Sequence, residues 1–190
     1  MKNQSKRLLW LVGTLLLSMP ILATAAEIND VRFADRVNLD RTELTLRGVA
    51  VLKWALLFDI YAGAFYLPEE QSGKAWTDDV PKRLELSYFR KIAAADFAKS
   101  SDQLLRRDLS TEEYRALAAR LQTFYNLFRD VTPGDRYSLT YLPGHGTELR
   151  LNDQPLGSVP GADFAVAYFS LWLGQQPIDD DFRDRLLSID

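Results

Sequence analysis

Residues 46–68 read LRGVAVLKWALLFDIYAGAFYLP, a long apolar run interrupted by a few ionisable and aromatic positions. Counted from Ala55, the even positions Leu56, Phe58, Ile60, Ala62 and Ala64 are all apolar, while the odd positions Asp59, Tyr61 and Gly63 mix polar, aromatic and small groups. Successive side chains of a strand point to opposite faces, so this parity predicts one face that buries and one that can meet a ligand. A helix would set Asp59 among Ala55, Leu56, Ala62 and Gly63 with no polar stripe, and Gly63 would cost it about 1 kcal/mol relative to alanine. The pattern therefore favours a strand.

The same logic, carried along the chain, predicts strands over residues 31–39 and 43–52, the run that ends at Leu67, and residues 83–90, where Leu84, Leu86 and Tyr88 alternate with Glu85, Ser87 and Phe89. Residues 68–81 are rich in Glu, Gly, Asp and Pro and read as a loop. Strands joined by short links imply an antiparallel meander. A helical block follows. Residues 94–107 carry Phe97, Leu104 and Leu105, and Ser110 with Glu113 forms a capping-box pattern ahead of an apolar stripe of Tyr114, Leu117, Leu121, Phe124, Leu127 and Phe128. Pro133 and Gly134 end it. Strands return at 136–142, 148–151 and 155–159, separated by the turns Pro143-Gly144-His145-Gly146 and Asn152-Asp153. Residues 162–173 place Phe164, Ala167, Tyr168, Leu171 and Trp172 on one helical stripe, and residues 179–187 close the chain as a helix. Sheet, helices, sheet, helices is an α+β order.

Ahead of these elements, Lys2, Lys6 and Arg7 precede a mostly apolar stretch over 8–22, and Ala23-Thr24-Ala25 supplies the small residues a signal peptidase reads. The pattern predicts a cleavable signal peptide over residues 1–26, one domain over 27–190 that is periplasmic or otherwise exported, and no stable membrane span once the signal is removed. Those three cations leave 20 basic against 26 acidic residues in the mature chain, a balance of about −6. Such a charge opposes nucleic acid and anionic membrane surfaces. The chain has no cysteine and one histidine, which removes disulfides, thiolate nucleophiles and the common His/Cys zinc sites.

Most of the reactive residue types have structural explanations. His145, in a Gly-His-Gly turn, reads as a loop tip, and neither Ser110 nor Ser170 sits in a Gly-x-Ser-x-Gly elbow. Asp179-Asp180-Asp181 suits a helix start, where carboxylates cap and complement the dipole, better than a metal. No metal and no cofactor is expected. Trp54 and Trp172 read as core aromatics, and Asp59 is expected to be exposed or paired with an arginine.

The run over 46–68, the strand RLELSYFR, the element GDRYSLTYLPGHGTELRLND and the tail DFAVAYFSLWLGQQPIDDDFRDRLL stand in the order found in exported bacterial proteins of the chalcone isomerase-like family, which the chain resembles over most of its length. The resemblance implies an open-faced β-sandwich, in which a large antiparallel sheet is covered by helices with a cleft between them. In the plant enzymes of that family, an intramolecular oxa-Michael addition closes a chalcone to a flavanone. Relatives without that activity bind fatty acids in the same cleft.

Ring closure needs a cation for the phenolate and donors for the enolate oxygen that develops. In the plant enzymes these are an arginine, a threonine, a tyrosine and an asparagine. Carried over from Tyr66-Leu67, the resemblance puts Lys53 at the arginine position, Tyr61 at the threonine position and Phe97, which has no hydroxyl, at the tyrosine position. No catalytic residue is assigned. Lys53, Tyr61 and Phe97 are the candidate ligand-binding residues, Lys53 also reading as a solvated strand-end residue and Tyr61 as a packing aromatic. Along one extended strand, Lys53 and Tyr61 would stand about 26 Å apart, framing opposite ends of a long ligand. The expected function is non-catalytic binding of an apolar carboxylate such as a fatty acid. The alternatives are an isomerase with altered residues and an envelope interaction protein whose cleft is filled by its own side chains.

Overall fold

The structure, a computed structural model, describes residues 25–39, 42–54 and 57–188, so the predicted leader up to residue 24 and residues 55–56 lie outside the described residues. Strands β1 (Ala25–Ile28) and β2 (Val31–Ala34) form a small hairpin. Strands β3 (Arg36–Leu39), β4 (Thr42–Trp54), β5 (Phe58–Leu67), β6 (Lys82–Tyr88), β7 (Arg136–Leu142), β8 (Gly146–Leu151) and β9 (Gln154–Val159) form one antiparallel sheet, in which each strand pairs with its neighbour in sequence. Helices α1 (Ala94–Asp108) and α2 (Thr111–Tyr125) are inserted between β6 and β7, and α3 (Ala162–Leu173) and α4 (Asp180–Leu187) follow the sheet. This is the α+β order that the residue pattern predicted, arranged as the open-faced sandwich that the resemblance implied.

Local chemistry sets the boundaries. The Ser110 side chain accepts from the Glu113 amide while the Glu113 carboxylate accepts from the Ser110 amide, a closed capping box that starts α2. Asp179 caps α4 by accepting from the Phe182 amide, and Asp180 pairs with Arg183 at 2.8 Å, so two of the three adjacent aspartates are engaged at the helix start. Asn152 and Asp153 take left-handed φ values of 49° and 65°, the geometry a two-residue hairpin requires between β8 and β9.

Both faces of the sheet are covered. On one, Tyr61, Phe65 and Leu67 of β5 join Leu84 and Leu86 of β6 in the main core beneath the helices. On the other, Ala62, Ala64 and Tyr66 pack with Phe33 and Leu44 under the β1–β2 hairpin. The parity of β5 thus separates two apolar layers, with the odd positions facing the helices. Gly48 and Gly63 let α4 lie against this sheet: a side chain on Gly48 would collide with the Arg185 carbonyl, and a Cβ on Gly63 would stand 2.5 Å from Phe182 Cζ.

Three expectations are corrected. The run over 46–68 is two strands, with a reversal between Trp54 and Phe58. The stretch 31–39 is likewise two strands, which belong to different sheets and part at Asp35. Trp54, read as core, is 65% exposed, because it stands at the open end of the β4–β5 hairpin.

Candidate functional site

The reversal after Trp54 decides the site. In the β4–β5 ladder Leu52 stands opposite Tyr61 and Lys53 opposite Asp59, which leaves Ile60 as an extra, bulged residue. A bulge bends its strand and re-aims the side chains beside it. Leu52, Lys53 and Trp54 consequently border the same cavity as Ile60 and Tyr61. Lys53 and Tyr61 are therefore close neighbours across a hairpin, where the single-strand reading had them about 26 Å apart.

The cavity measures about 360 Å³ and lies between the β4–β6 end of the sheet and the helical layer. Its floor is Tyr61, Leu86 and Tyr88, and its far walls are Ile92, Phe97 and Leu104 on one side and Leu171, Trp172 and Ile178 on the other. All three residues singled out from the sequence border it. Phe97 sits on the first turns of α1, stacked on Phe128 and edge-on to Tyr88 and Tyr137, with centroid separations of 5.3, 5.5 and 5.4 Å. Behind it lies a second void of about 40 Å³ among Phe124, Phe128, Leu139 and Tyr168. Phe97, Tyr88, Leu86, Ser101 and Trp172 border both spaces, and so form the partition between them.

Polar groups are few and placed at distinct depths. Tyr61 accepts a hydrogen bond from Trp172 Nε1 at 2.9 Å, and its own hydroxyl proton has no acceptor among the described residues. The Tyr88 hydroxyl likewise makes no hydrogen bond with them, although the residue is only 2% exposed. Burial raises the ionisation of both phenols well above the ordinary value, so they are neutral donors throughout the physiological range. Ser101 and Tyr168 satisfy each other at 2.9 Å. At the rim, Lys53 Nζ stands 3.9 Å from Asp59 Oδ1, and the lysine side chain is 52% exposed. Asp59 also accepts from Asn29 Nδ2 at 2.6 Å, so it has partners, though the expected arginine meets only its backbone carbonyl, through Arg90 Nε at 3.0 Å. An exposed, stretched pair of this kind is worth less than about 1 kcal/mol, and leaves the ammonium available to another anion.

Tyr88 and Trp172 were not among the residues picked out by sequence. The signal for Tyr88 was present: it shares the face of Leu84 and Leu86 at the end of β6 and carries a polar tip. Trp172 had no such signal, because its N–H finds Tyr61 across 111 positions of chain.

A larger groove of about 560 Å³ runs between α1 and α2, open to solvent. Part of its polar wall is paired internally, since Asp102 accepts from Arg106 Nε at 2.8 Å and from the Tyr114 hydroxyl, while the buried Tyr125 hydroxyl has no partner among the described residues. Among the described residues, no cluster of three or more His, Asp or Glu is arranged to hold a metal ion, and no helix is long and apolar enough to cross a membrane.

No curated protein matches the chain in sequence. Among solved structures, the fold matches that of the Arabidopsis thaliana fatty-acid binding protein AtFAP1 with a TM-score of 0.65 and 18% sequence identity, covering 86% of this chain and 96% of that one. The sequence profile described as chalcone isomerase-like matches residues 25–188. A seven-stranded antiparallel sheet, a helical layer and a cleft between them accompany that match, and the chain belongs to the chalcone isomerase-like family.

Proposed function

We propose that the protein is a non-catalytic binder of an apolar carboxylate, such as a fatty acid, held in the cavity between β4–β6 and the helices. The observation that carries this reading is a mostly apolar chamber whose lining among the described residues holds one cation, Lys53, at the rim, beside a single carboxylate, Asp96. Its volume lies within the roughly 300–1,000 Å³ of ligand cavities. A methylene group displaces nearly the volume share of a liquid water, about 30 Å³, so the outer chamber suits a chain of about a dozen carbons. In this reading Lys53 binds the carboxylate, the Tyr61 and Tyr88 hydroxyls are the neutral donors available to it, and Phe97 limits how deep the chain reaches. The resemblance of the fold to a fatty-acid binding protein supports the same ligand class. The apolar leader and its small-residue cleavage pattern support export, and we place the working protein outside the cytoplasm on that ground.

Displacement of a fluorescent fatty acid tests it. Saturated acids of about 8 to 18 carbons should bind with an optimum near a dozen, in the micromolar range of about 1–10 μM. Lys53→Ala should weaken binding by up to about fivefold, the range of an exposed charge pair, and Lys53→Arg should restore it. Tyr61→Phe should cost about tenfold or more if its hydroxyl donates to the charged head group. Absence of displacement at any chain length, with the protein folded, refutes the reading.

One observation favours catalysis as a second reading. Lys53 and two neutral phenols border one chamber, the cation and donors that an oxa-Michael ring closure uses. Chalcone turnover that is lost in Lys53→Ala and kept in Lys53→Arg would establish an isomerase instead. No turnover in wild type and both variants removes it.

A further inference from the structure

Among the described residues, four large apolar side chains are conspicuously exposed: Leu57 at 79%, Trp54 at 65%, Phe58 at 42% and Ile178 at 41%. They are not scattered. Trp54 and Ile178 border the mouth of the cavity, Phe58 stacks on Trp54 with a centroid separation of 6.1 Å, and Leu57 is the turn residue between them in the hairpin. Single exposed apolar residues are ordinary, but a set gathered at the opening of an apolar chamber marks an interaction site.

The geometry points to a lipid bilayer surface as the partner: we infer that the β4–β5 hairpin tip enters the interfacial layer of a membrane and sets the cavity mouth against it, so that an acyl chain passes between bilayer and chamber without crossing water. The inference rests on the acyl-binding reading above. Three features select this occupant. The tip has the composition of an interfacial anchor, with a tryptophan and a phenylalanine beside a leucine. Cations flank it where lipid phosphates would lie: Lys53 at the rim, Arg90 over the Phe58 ring at 4.9 Å, and exposed Lys91 next to the rim residue Ile92. Four such side chains at these exposures present on the order of 400 Å², about half of the roughly 800 Å² per partner that a stable protein dimer buries.

The acidic groups nearby do not reverse this. Asp59 accepts from Asn29, Asp179 and Asp180 are occupied by the start of α4, and Asp96 borders the same cavity as Lys53. The net negative charge of the chain still opposes a strongly anionic surface. Apolar insertion therefore dominates, and binding should hold on zwitterionic vesicles with little change between about 0.1 and 1 M salt.

Flotation with vesicles of phosphatidylcholine and phosphatidylethanolamine tests the inference. The chain is taken from Ala25, where the described fold begins, so that the apolar stretch over 8–22 cannot itself enter lipid. Wild type should float with the vesicles, and Leu57→Asp should lower the partition coefficient by about tenfold or more. Brominated phosphatidylcholine should quench the fluorescence of wild type, whereas Trp54→Phe should still bind with most of that quenching lost. Fatty-acid displacement in solution is run in parallel on each variant. Displacement without flotation overturns the membrane inference and leaves the carrier reading standing, while flotation without displacement removes the carrier reading and, with it, the passage of an acyl chain, leaving only the membrane contact of the hairpin tip. A wild type that is dimeric by light scattering, does not float, and becomes monomeric in Leu57→Asp would assign the tip to a second copy, which also overturns the inference.

Discussion

Lys82 shows what the interior of this fold imposes on a charge. It begins β6 with no exposed surface, donates to the carbonyls of Trp76 and Asp78 at 2.7 and 2.6 Å, and lies 5.1 Å from the centroid of the Tyr141 ring. Burial outweighs the nearby Asp78 and Asp79 and brings its ionisation from 10.5 down to about 8. Between those values the folded protein carries a neutral lysine and the unfolded chain a charged one. The unfolded state then binds more protons, and stability rises with pH. Below about 8 the lysine is charged in both states and the dependence disappears. Unfolding free energy from urea titrations should therefore climb between about pH 7.5 and 9, with a slope that stays below about 1.4 kcal/mol per unit. Lys82→Met should flatten the climb. The window stops there because all eight phenols are held above their ordinary value in the fold and stay neutral where unfolded tyrosine ionises, and together they offset the single lysine from about pH 9. A slope unchanged in Lys82→Met would assign the pH dependence to another group.

At the same scale, the three candidate residues that border the cavity were legible as positions, though not as an arrangement. Tyr61 could be placed on the side that faces the helices and the cavity by counting parity, and Lys53 and Phe97 beside it by the resemblance. What sequence could not give was their proximity, because the reversal after Trp54 carries no glycine, proline or asparagine to announce it. The reverse held for Asn29-Asp30, with φ values of 47° and 62°: this dipeptide turns β1 into β2 as Asn152-Asp153 turns β8 into β9. There the turn signal was present, but β1 overlaps the small residues read as a cleavage site. Trp54 was misread because apolar composition does not report whether a residue stands at the covered or the open end of a hairpin.

Among the elements, α1 has the most direct control over the chamber. It enters after the bridge between Ile92 and Val131, and its first turns carry Phe97 into the space between the outer chamber and the inner void. Removing that ring joins the two spaces and adds its own volume, enough for several more methylenes. Phe97→Ala should move the preferred fatty acid from about a dozen carbons toward 16 or 18 in the displacement assay. Phe97 is only partly buried, so the stability cost should fall below the roughly 3–5 kcal/mol of a fully buried phenylalanine. A profile that keeps its optimum while stability alone declines would mean that the surrounding aromatics close over the gap. Phe97→Leu separates these outcomes, since it keeps the partition apolar and shortens it only in part.

For the molecule as a whole, the chamber stands between layers that are otherwise packed closely: α4 lies directly on β4 and β5 through Gly48 and Gly63. A ligand there touches the sheet through Tyr61 and Leu86, α1 through Phe97 and Leu104, and α3 through Leu171 and Trp172, so it binds the assembled fold and has no site in the unfolded chain. Linkage then fixes the size of the response. At a free ligand concentration one hundred times Kd, stabilisation is about 2.7 kcal/mol, and a chain of this length gains about 2–4 °C per kcal/mol, giving a Tm increase of about 5–11 °C. Dodecanoate below its micellar concentration should produce that shift. Dodecanol, which matches the chain but lacks the charge, should produce less by the amount Lys53 contributes, and in Lys53→Ala the two should converge. Equal shifts for acid and alcohol in wild type would leave the cavity as an apolar binding site and remove Lys53 from carboxylate recognition.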